Sequence, residues 1–236
     1  MRHTPTGYIA RKPTGTEEEK EVGLLAEEDR KYLIKEFEKH LGEKVVLHFF
    51  AGGKADSSEL TEQILSELEP LHELITVQRY SLGADQAKAQ EFKINKAPAI
   101  VVARPEKDYG IRFYGVPAGY EFGSLIEDII EVSRGATDLP RDMIEELQEL
   151  DQDVHIQVFV TAQCPYCPRA VRTAHKFALV SDRVVADMVM ATDFQELSIK
   201  YGVSAVPHMV VNEAASFIGA LPEREFLNEV LKGVHV

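Results

Sequence analysis

The two cysteines of this chain stand three positions apart, as Cys164-Pro165-Tyr166-Cys167. A dithiol at this spacing can make and break disulfides, because one thiolate attacks and the second resolves the mixed disulfide. With no third cysteine, neither thiol has a partner elsewhere in the chain. A strand-like run, Val154 to Val160, leads up to the pair, and a helical pattern, Arg169 to Val180, follows it. That order puts Cys164 at a helix N-terminus, where unpaired N–H groups and the helix dipole stabilise a thiolate. Pro165 at the first helical position suits this geometry, since its missing N–H is not needed there. Cys164 is therefore read as the nucleophile, with a pKa below the free-thiol value of about 8.5. Cys167 is read as the resolving thiol, and Tyr166 as a residue that tunes the loop. Arg169 and Arg172, on the first turns of the same helix, are candidate sources of positive potential or else solvated surface charges.

Two other uses of the pair fit less well. Structural zinc wants four ligands, and His155, His175 and His208 are the candidates to complete a site beside the single cysteine pair. A three-residue disulfide loop constrains the unfolded chain little, which argues against a purely structural bridge. Val206-Pro207 lies 43 residues beyond Cys164. A proline entering a strand needs a first position, an edge or a bulge. Beside a dithiol it implies a cis bond that sets backbone next to Cys164. Val206 and Pro207 would then position an extended substrate segment by strand-like hydrogen bonds.

The surrounding elements repeat. Helical periodicity through Tyr32, Leu33, Phe37 and Leu41 is followed by a strand, Val45 to Phe50, and a helix through Leu60, Ile64, Leu65 and Leu68. A strand from Ile75 to Tyr80, a helix from Ala84 to Phe92 and strands at Ala99 to Ala103 and Ile111 to Tyr114 come next. A helix through Phe122, Leu125, Ile126, Ile129 and Ile130 closes the first half. The second half has the same order, with strands at Val184 to Met190, His208 to Val211 and Ser216 to Gly219, and helices at Phe194 to Tyr201 and Phe226 to Leu231. Shifting Cys164, Cys167 and Pro207 back by 109 positions lands on Ala55, Ser58 and Pro98. Later the shift becomes 104, and Phe113, Gly115 and Glu121-Phe122 match Phe217, Gly219 and Glu225-Phe226. The difference is assigned to a longer hairpin in the first half, around Arg104 to Gly110, because loops absorb insertions cheaply. The expected organisation is a loose leader over residues 1–20, a unit over 21–135 and a unit over 136–236. Gly135 to Gln152 is read as the linker, with a short acidic helix from Arg141 to Leu150.

Bulk properties narrow the classes further. A 44% apolar composition over 236 residues supports a globular fold. The net charge of -13 disfavours nucleic acid and anionic membrane surfaces. No run of 18 apolar residues and no apolar stretch near the start are present, so the cytoplasm is expected. The glycines never fall as G-x-G-x-x-G, so no bound cofactor is expected and any flavin or nicotinamide would belong to a partner.

At this point the chain resembles a known family. Cys164-Pro165-Tyr166-Cys167 is similar to the glutaredoxin active-site sequence, and Val206-Pro207 to the cis-proline loop of the thioredoxin fold. The tandem arrangement resembles the two-domain, glutaredoxin-like protein disulfide oxidoreductases of thermophilic archaea and bacteria. Phe113-Tyr114-Gly115-Val116-Pro117-Ala118-Gly119-Tyr120-Glu121-Phe122, Asp151-Gln152-Asp153-Val154 and Val158-Phe159-Val160-Thr161 carry the likeness, with Ala174-His175-Lys176-Phe177-Ala178. The resemblance implies an α/β fold, two thioredoxin-fold units each with a mixed sheet flanked by helices, and thiol–disulfide exchange on protein substrates. Members of that family carry a Cys-x-x-Cys in both units, whereas here Ala55-Asp56-Ser57-Ser58 fills the first. The chain is also similar to the N-terminal part of the alkyl hydroperoxide reductase flavoprotein. That likeness implies an electron carrier between a thioredoxin-reductase-like flavoprotein and a peroxiredoxin. A non-catalytic protein-binding or chaperone module is the alternative from another class.

Overall fold

The computed structural model describes residues 23–234. The expected leader, residues 1–20, lies outside the described residues. Eight strands form one mixed sheet in the order β2-β1-β3-β4-β6-β5-β7-β8. The first half supplies β1 (Val45–Ala51), β2 (Ile75–Ser81), β3 (Ala99–Arg104) and β4 (Lys107–Tyr114). The second supplies β5 (Val154–Val160), β6 (Val184–Met190), β7 (His208–Val211) and β8 (Ala215–Ile218). Within each half the pairing is the same. The leading strand is parallel to the second and antiparallel to the third, and the third and fourth form an antiparallel hairpin. The halves meet where β4 runs parallel to β6, with Ile111 opposite Ala186 and Tyr114 opposite Val189. Gly110 allows this approach. Its φ is +82°, and a Cβ there would stand 2.5 Å from the Val184 carbonyl oxygen.

The larger core lies on one face of the sheet. It is filled from α1 (Glu27–His40), α2 (Ala55–Leu68), α4 (Tyr120–Arg134), α5 (Arg141–Gln148), α6 (Cys167–Val180) and α8 (Glu223–Val234). The other face carries the short helices α3 (Gln86–Glu91) and α7 (Gln195–Lys200) over a smaller cluster around Phe50, Phe92, Phe159 and Val189. The central strands are buried on both faces, as a sheet covered on both sides requires. No helix among the described residues is long and apolar enough to cross a membrane.

Three local features add detail to the expectations. The hairpin of the first half is the longer one, as expected, and its added residues are strand. They extend the β3–β4 ladder to Arg104 opposite Lys107, with a register shift at Val102/Ala103, where the β7–β8 strands have four residues each. The linker carries the expected short helix, and it is packed: α5 buries Met143 and Leu147, and Leu139 before it is buried too. Lastly, α2 begins at Ala55, while α6 begins at Cys167, the counterpart of Ser58. Where the second half makes its dithiol turn, the first half has already started its helix.

Candidate active site

The sheet delivers the dithiol at the end of β5. The chain turns at Thr161, whose carbonyl accepts the Cys164 N–H at 3.1 Å, and enters α6 at Cys167. Pro165 is therefore not the first helical residue. It lies in the exposed turn, and Pro168 is the proline inside the first turn of the helix. Cys164 and Cys167 are joined by a disulfide with their Cα atoms 5.5 Å apart. The backbone N–H of Cys167 donates to Cys164 Sγ at 3.1 Å, so one of the orphan donors of the helix start points at that sulfur. Cys164 is 8% exposed and Cys167 0%, while Tyr166 between them is 71% exposed.

Val206-Pro207 comes alongside as a cis bond, and the Val206 carbonyl oxygen lies 3.9 Å from Cys164 Sγ. The Pro207 carbonyl accepts the Gly219 N–H at 2.9 Å. The first half reproduces this contact, since Ala97-Pro98 is also cis and the Pro98 carbonyl accepts the Gly115 N–H at 2.9 Å. The rest of the matching region of the first half makes contacts of another kind. Ser58 Oγ accepts the Gly52 N–H at 3.2 Å, Ser57 Oγ donates to Asp193 Oδ1 at 3.1 Å, and Lys54 Nζ donates to the Thr192 carbonyl at 2.9 Å. The Val116 N–H donates to the other oxygen of Asp193 at 3.0 Å. The segment around Ala55 thus grips the loop after β6 and acts as a joint between the halves.

The first half also reaches the live site. The Tyr120 N–H donates to the Ala162 carbonyl at 3.2 Å, two residues before Cys164. Gly119, with φ +63°, makes the contact feasible, because a Cβ there would stand 2.1 Å from that same carbonyl oxygen. Tyr120 remains 40% exposed. Glu121 follows it and is fully buried, with Ser124 Oγ donating to its Oε2 at 2.7 Å. Burial pushes its carboxyl up to about 7 against the Ser124 hydrogen bond and the Arg172 charge. Helices α4 and α6 each return from parallel strands, so they run parallel side by side. Asp128 meets His175 across them, 47 positions on. Glu121 thus follows the residue that bonds to the turn before Cys164, and Arg172 of α6 is near enough to act on its charge.

Sequence patterning passes over Glu121 and Tyr120 as site residues. Their only signal is the Gly119-Tyr120-Glu121-Phe122 stretch, and Glu225, the repeat counterpart of Glu121, is exposed. Arg172 departs from both roles offered for it. It is buried and faces Glu127, Asp128 and Glu131 of α4, with Nε 3.1 Å from Glu127 Oε2 and Nη2 2.7 Å from Glu131 Oε2. Arg169 stays exposed and forms no ion pair among the described residues. The three histidines weighed as zinc ligands lie apart. His175 Nδ1 is 2.6 Å from Asp128 Oδ2, and burial lowers its pKa to about 3. His155 Nε2 is 2.7 Å from Asp187 Oδ2, and His208 packs against Phe159. Among the described residues no group of three or more metal-binding side chains comes together.

A mixed sheet with a Cys-x-x-Cys disulfide at the start of a helix and a cis-proline loop beside it defines a class, and the chain is a thioredoxin-superfamily redox protein. The thioredoxin domain family matches residues 154–232, the half that carries the dithiol. The alkyl hydroperoxide reductase AhpF of Staphylococcus aureus is 25% identical over 195 residues, 75% of this chain and 37% of that protein. An NADH dehydrogenase of Ferdinandcohnia aciditolerans is 24% identical over 189 residues, 80% of this chain and 34% of its own length. The chain spans about a third of the length of these curated relatives. Among solved structures, the NTD_N/C domain of alkylhydroperoxide reductase AhpF from Enterococcus faecalis superposes with a TM-score of 0.81 at 26% identity. That match covers 87% of this chain and 99% of the other. A protein disulfide oxidoreductase from Aeropyrum pernix gives 0.76 at 28% identity, covering 87% and 91%.

Proposed function

We propose that the chain is a single-site thiol–disulfide oxidoreductase acting on protein disulfides, with residues 21–135 and 136–236 as its two units. The observation that carries this is the asymmetry of the pair. Cys164 is the sulfur with residual exposure and receives the helix-start N–H, while Cys167 is sealed beneath it. In the reduced protein the Cys164 thiolate attacks a substrate sulfur, and the other substrate sulfur leaves as a thiolate and takes up a proton. Cys167 loses its proton and attacks Cys164 Sγ. The substrate departs as a dithiol and the Cys164–Cys167 disulfide remains, two electrons having moved. Val206 and Pro207 line the attack site and offer backbone to an extended substrate. Ala55, Ser58 and Pro98 take no part in the chemistry. The disulfide is the redox group, and the cytoplasm is the compartment proposed, where a lone exchange-type pair fits the cysteine usage.

A Cys167→Ser variant tests the assignment. It should accumulate stable mixed disulfides through Cys164, visible as adducts on non-reducing gels and lost when Cys164 is also replaced. Absence of adducts with protein disulfides would overturn it.

Glu121 is proposed to accept the Cys167 proton during resolution. Its folded pKa of about 7 stands above the ordinary 4.5, so its ionisation is resisted in the fold. The folded state therefore loses stability as pH rises from 4.5 toward 7 while the unfolded chain ionises freely. Glu121→Gln should leave stability near pH 4 almost unchanged and raise it by about 3 kcal/mol at pH 8, read by urea unfolding. It should also lengthen the mixed-disulfide lifetime by about 10²-fold, the usual scale for a lost general base. A stabilised protein with an unchanged lifetime would remove Glu121 from the mechanism.

The likeness to the alkyl hydroperoxide reductase AhpF favours a narrower second reading. Here the pair relays electrons from a flavoprotein disulfide reductase to a peroxiredoxin. The same Cys167→Ser adducts separate the two, since a relay traps one dedicated partner and a general oxidoreductase traps many.

A further inference from the structure

We propose that the two outer edges of the sheet form a latent head-to-tail interface between copies of this chain, held shut by Glu62, Glu69 and Arg79. The inner seam joins Ile111–Tyr114 of β4 to Ala186–Val189 of β6. Moved by the repeat shift of 104, the β4 segment becomes Ala215–Ile218, which is β8. Moved by 109, β6 becomes Ile75–Ser81, which is β2. The outward edges are thus the same two edges that meet inside the molecule. Copied outward, the seam register sets Ala215 of one copy opposite Val77 of the next, and Ile218 opposite Tyr80.

The β8 edge is dressed for such a neighbour. Tyr114 in the seam is 2% exposed, and Ile218 in the same place is 50% exposed. The β2 edge is closed by its own side chains. The outward N–H of Val77 donates to Glu69 Oε1 at 2.8 Å, and its carbonyl accepts from Arg79 Nη1 at 3.3 Å. An incoming strand would need both groups. Arg79 is held in place by Glu62 Oε1 at 2.7 Å from Nε and by Glu69 Oε2 at 3.1 Å from Nη1. The seam has no such clamp. The counterparts of Glu62, Glu69 and Arg79 are Val171, Ala178 and Met188, all buried. The repeat therefore carries charges where the strand faces water and apolar residues where it faces a strand. Charged, self-satisfied edges are how sheets avoid pairing with other chains.

The test installs the seam residues at the edge, as Glu62→Val/Glu69→Ala/Arg79→Met, in the full chain. Sedimentation equilibrium should show a weight-average mass that rises by about 1.5-fold or more across a roughly hundredfold concentration range, relative to the wild-type chain. Adding Ile218→Asp, a change on an exposed side chain of β8, should return the mass to the wild-type value. A folded triple variant whose mass follows the wild type at every concentration overturns the proposal. If the triple variant precipitates, recovery of solubility by Ile218→Asp supports it, and precipitation unaffected by that change overturns it.

Discussion

Cys164→Ser will lower the rate of insulin reduction by roughly 10³-fold or more, the scale of loss when a covalent nucleophile is removed. Serine keeps the shape of the turn and can still accept the Cys167 N–H, so the fold should be untouched. What disappears is the sulfur that must bond to the substrate. An alcohol does not form the mixed disulfide, and Cys167 cannot substitute because it is fully buried. The contrast with Cys167→Ser is the informative part. That variant should still attack and then stall, whereas Cys164→Ser should not attack at all. The assay is insulin precipitation driven by dithiothreitol, with far-ultraviolet circular dichroism as the control for folding. Retention of the wild-type rate in a folded Cys164→Ser protein would mean that the exchange chemistry lies elsewhere.

The dithiol and its proline were legible because both are covalent signals: Cys-x-x-Cys has few uses and Val206-Pro207 a fixed spacing from it. Element positions were legible for a related reason. In Val154–Val160 and Val184–Met190 every second residue from the first is apolar, the alternation expected of a strand with a buried face. Charge hid the rest. Glu121 and Arg172 read as surface residues because charged side chains are seldom buried unless paired, and the partners of Arg172 sit on a helix more than forty positions away. The use of the matching region in the first half was equally hidden. Ala55 and Ser58 show only that the positions matching the dithiol cannot do redox chemistry. Nothing in their types shows that the helix would start three residues sooner or that neighbouring Ser57 would reach Asp193. The placement of Pro165 failed through a similar ambiguity, since two prolines flank the turn around Cys167 and only Pro168 falls inside the helix.

Arg172→Met should destabilise the protein by about 3–5 kcal/mol, the cost of removing one partner from a buried ion pair. Methionine fills much of the arginine stem's volume, so the loss measures charge more than packing. The group left behind is Asp128, 1% exposed and, among the described residues, paired only with the buried His175 besides Arg172. Glu127 and Glu131 can turn toward water, being more exposed, and should contribute less. The double variant Arg172→Met/Asp128→Asn removes the stranded charge and should recover a large share of the loss, read as a shift in urea midpoint. If the single and double variants are equally unstable, packing rather than charge is what Arg172 supplies. A second readout ties this joint to the chemistry. The Arg172 charge is one of the influences that keep the Glu121 carboxyl from rising further. Without it the Glu121 pKa climbs, and the acceptor proposed for the Cys167 proton becomes available only at higher pH. The pH profile of mixed-disulfide resolution in Arg172→Met should therefore move to the alkaline side of the wild-type profile, while the profile for attack by Cys164 stays in place. A purely structural arginine would lower the stability and move neither profile.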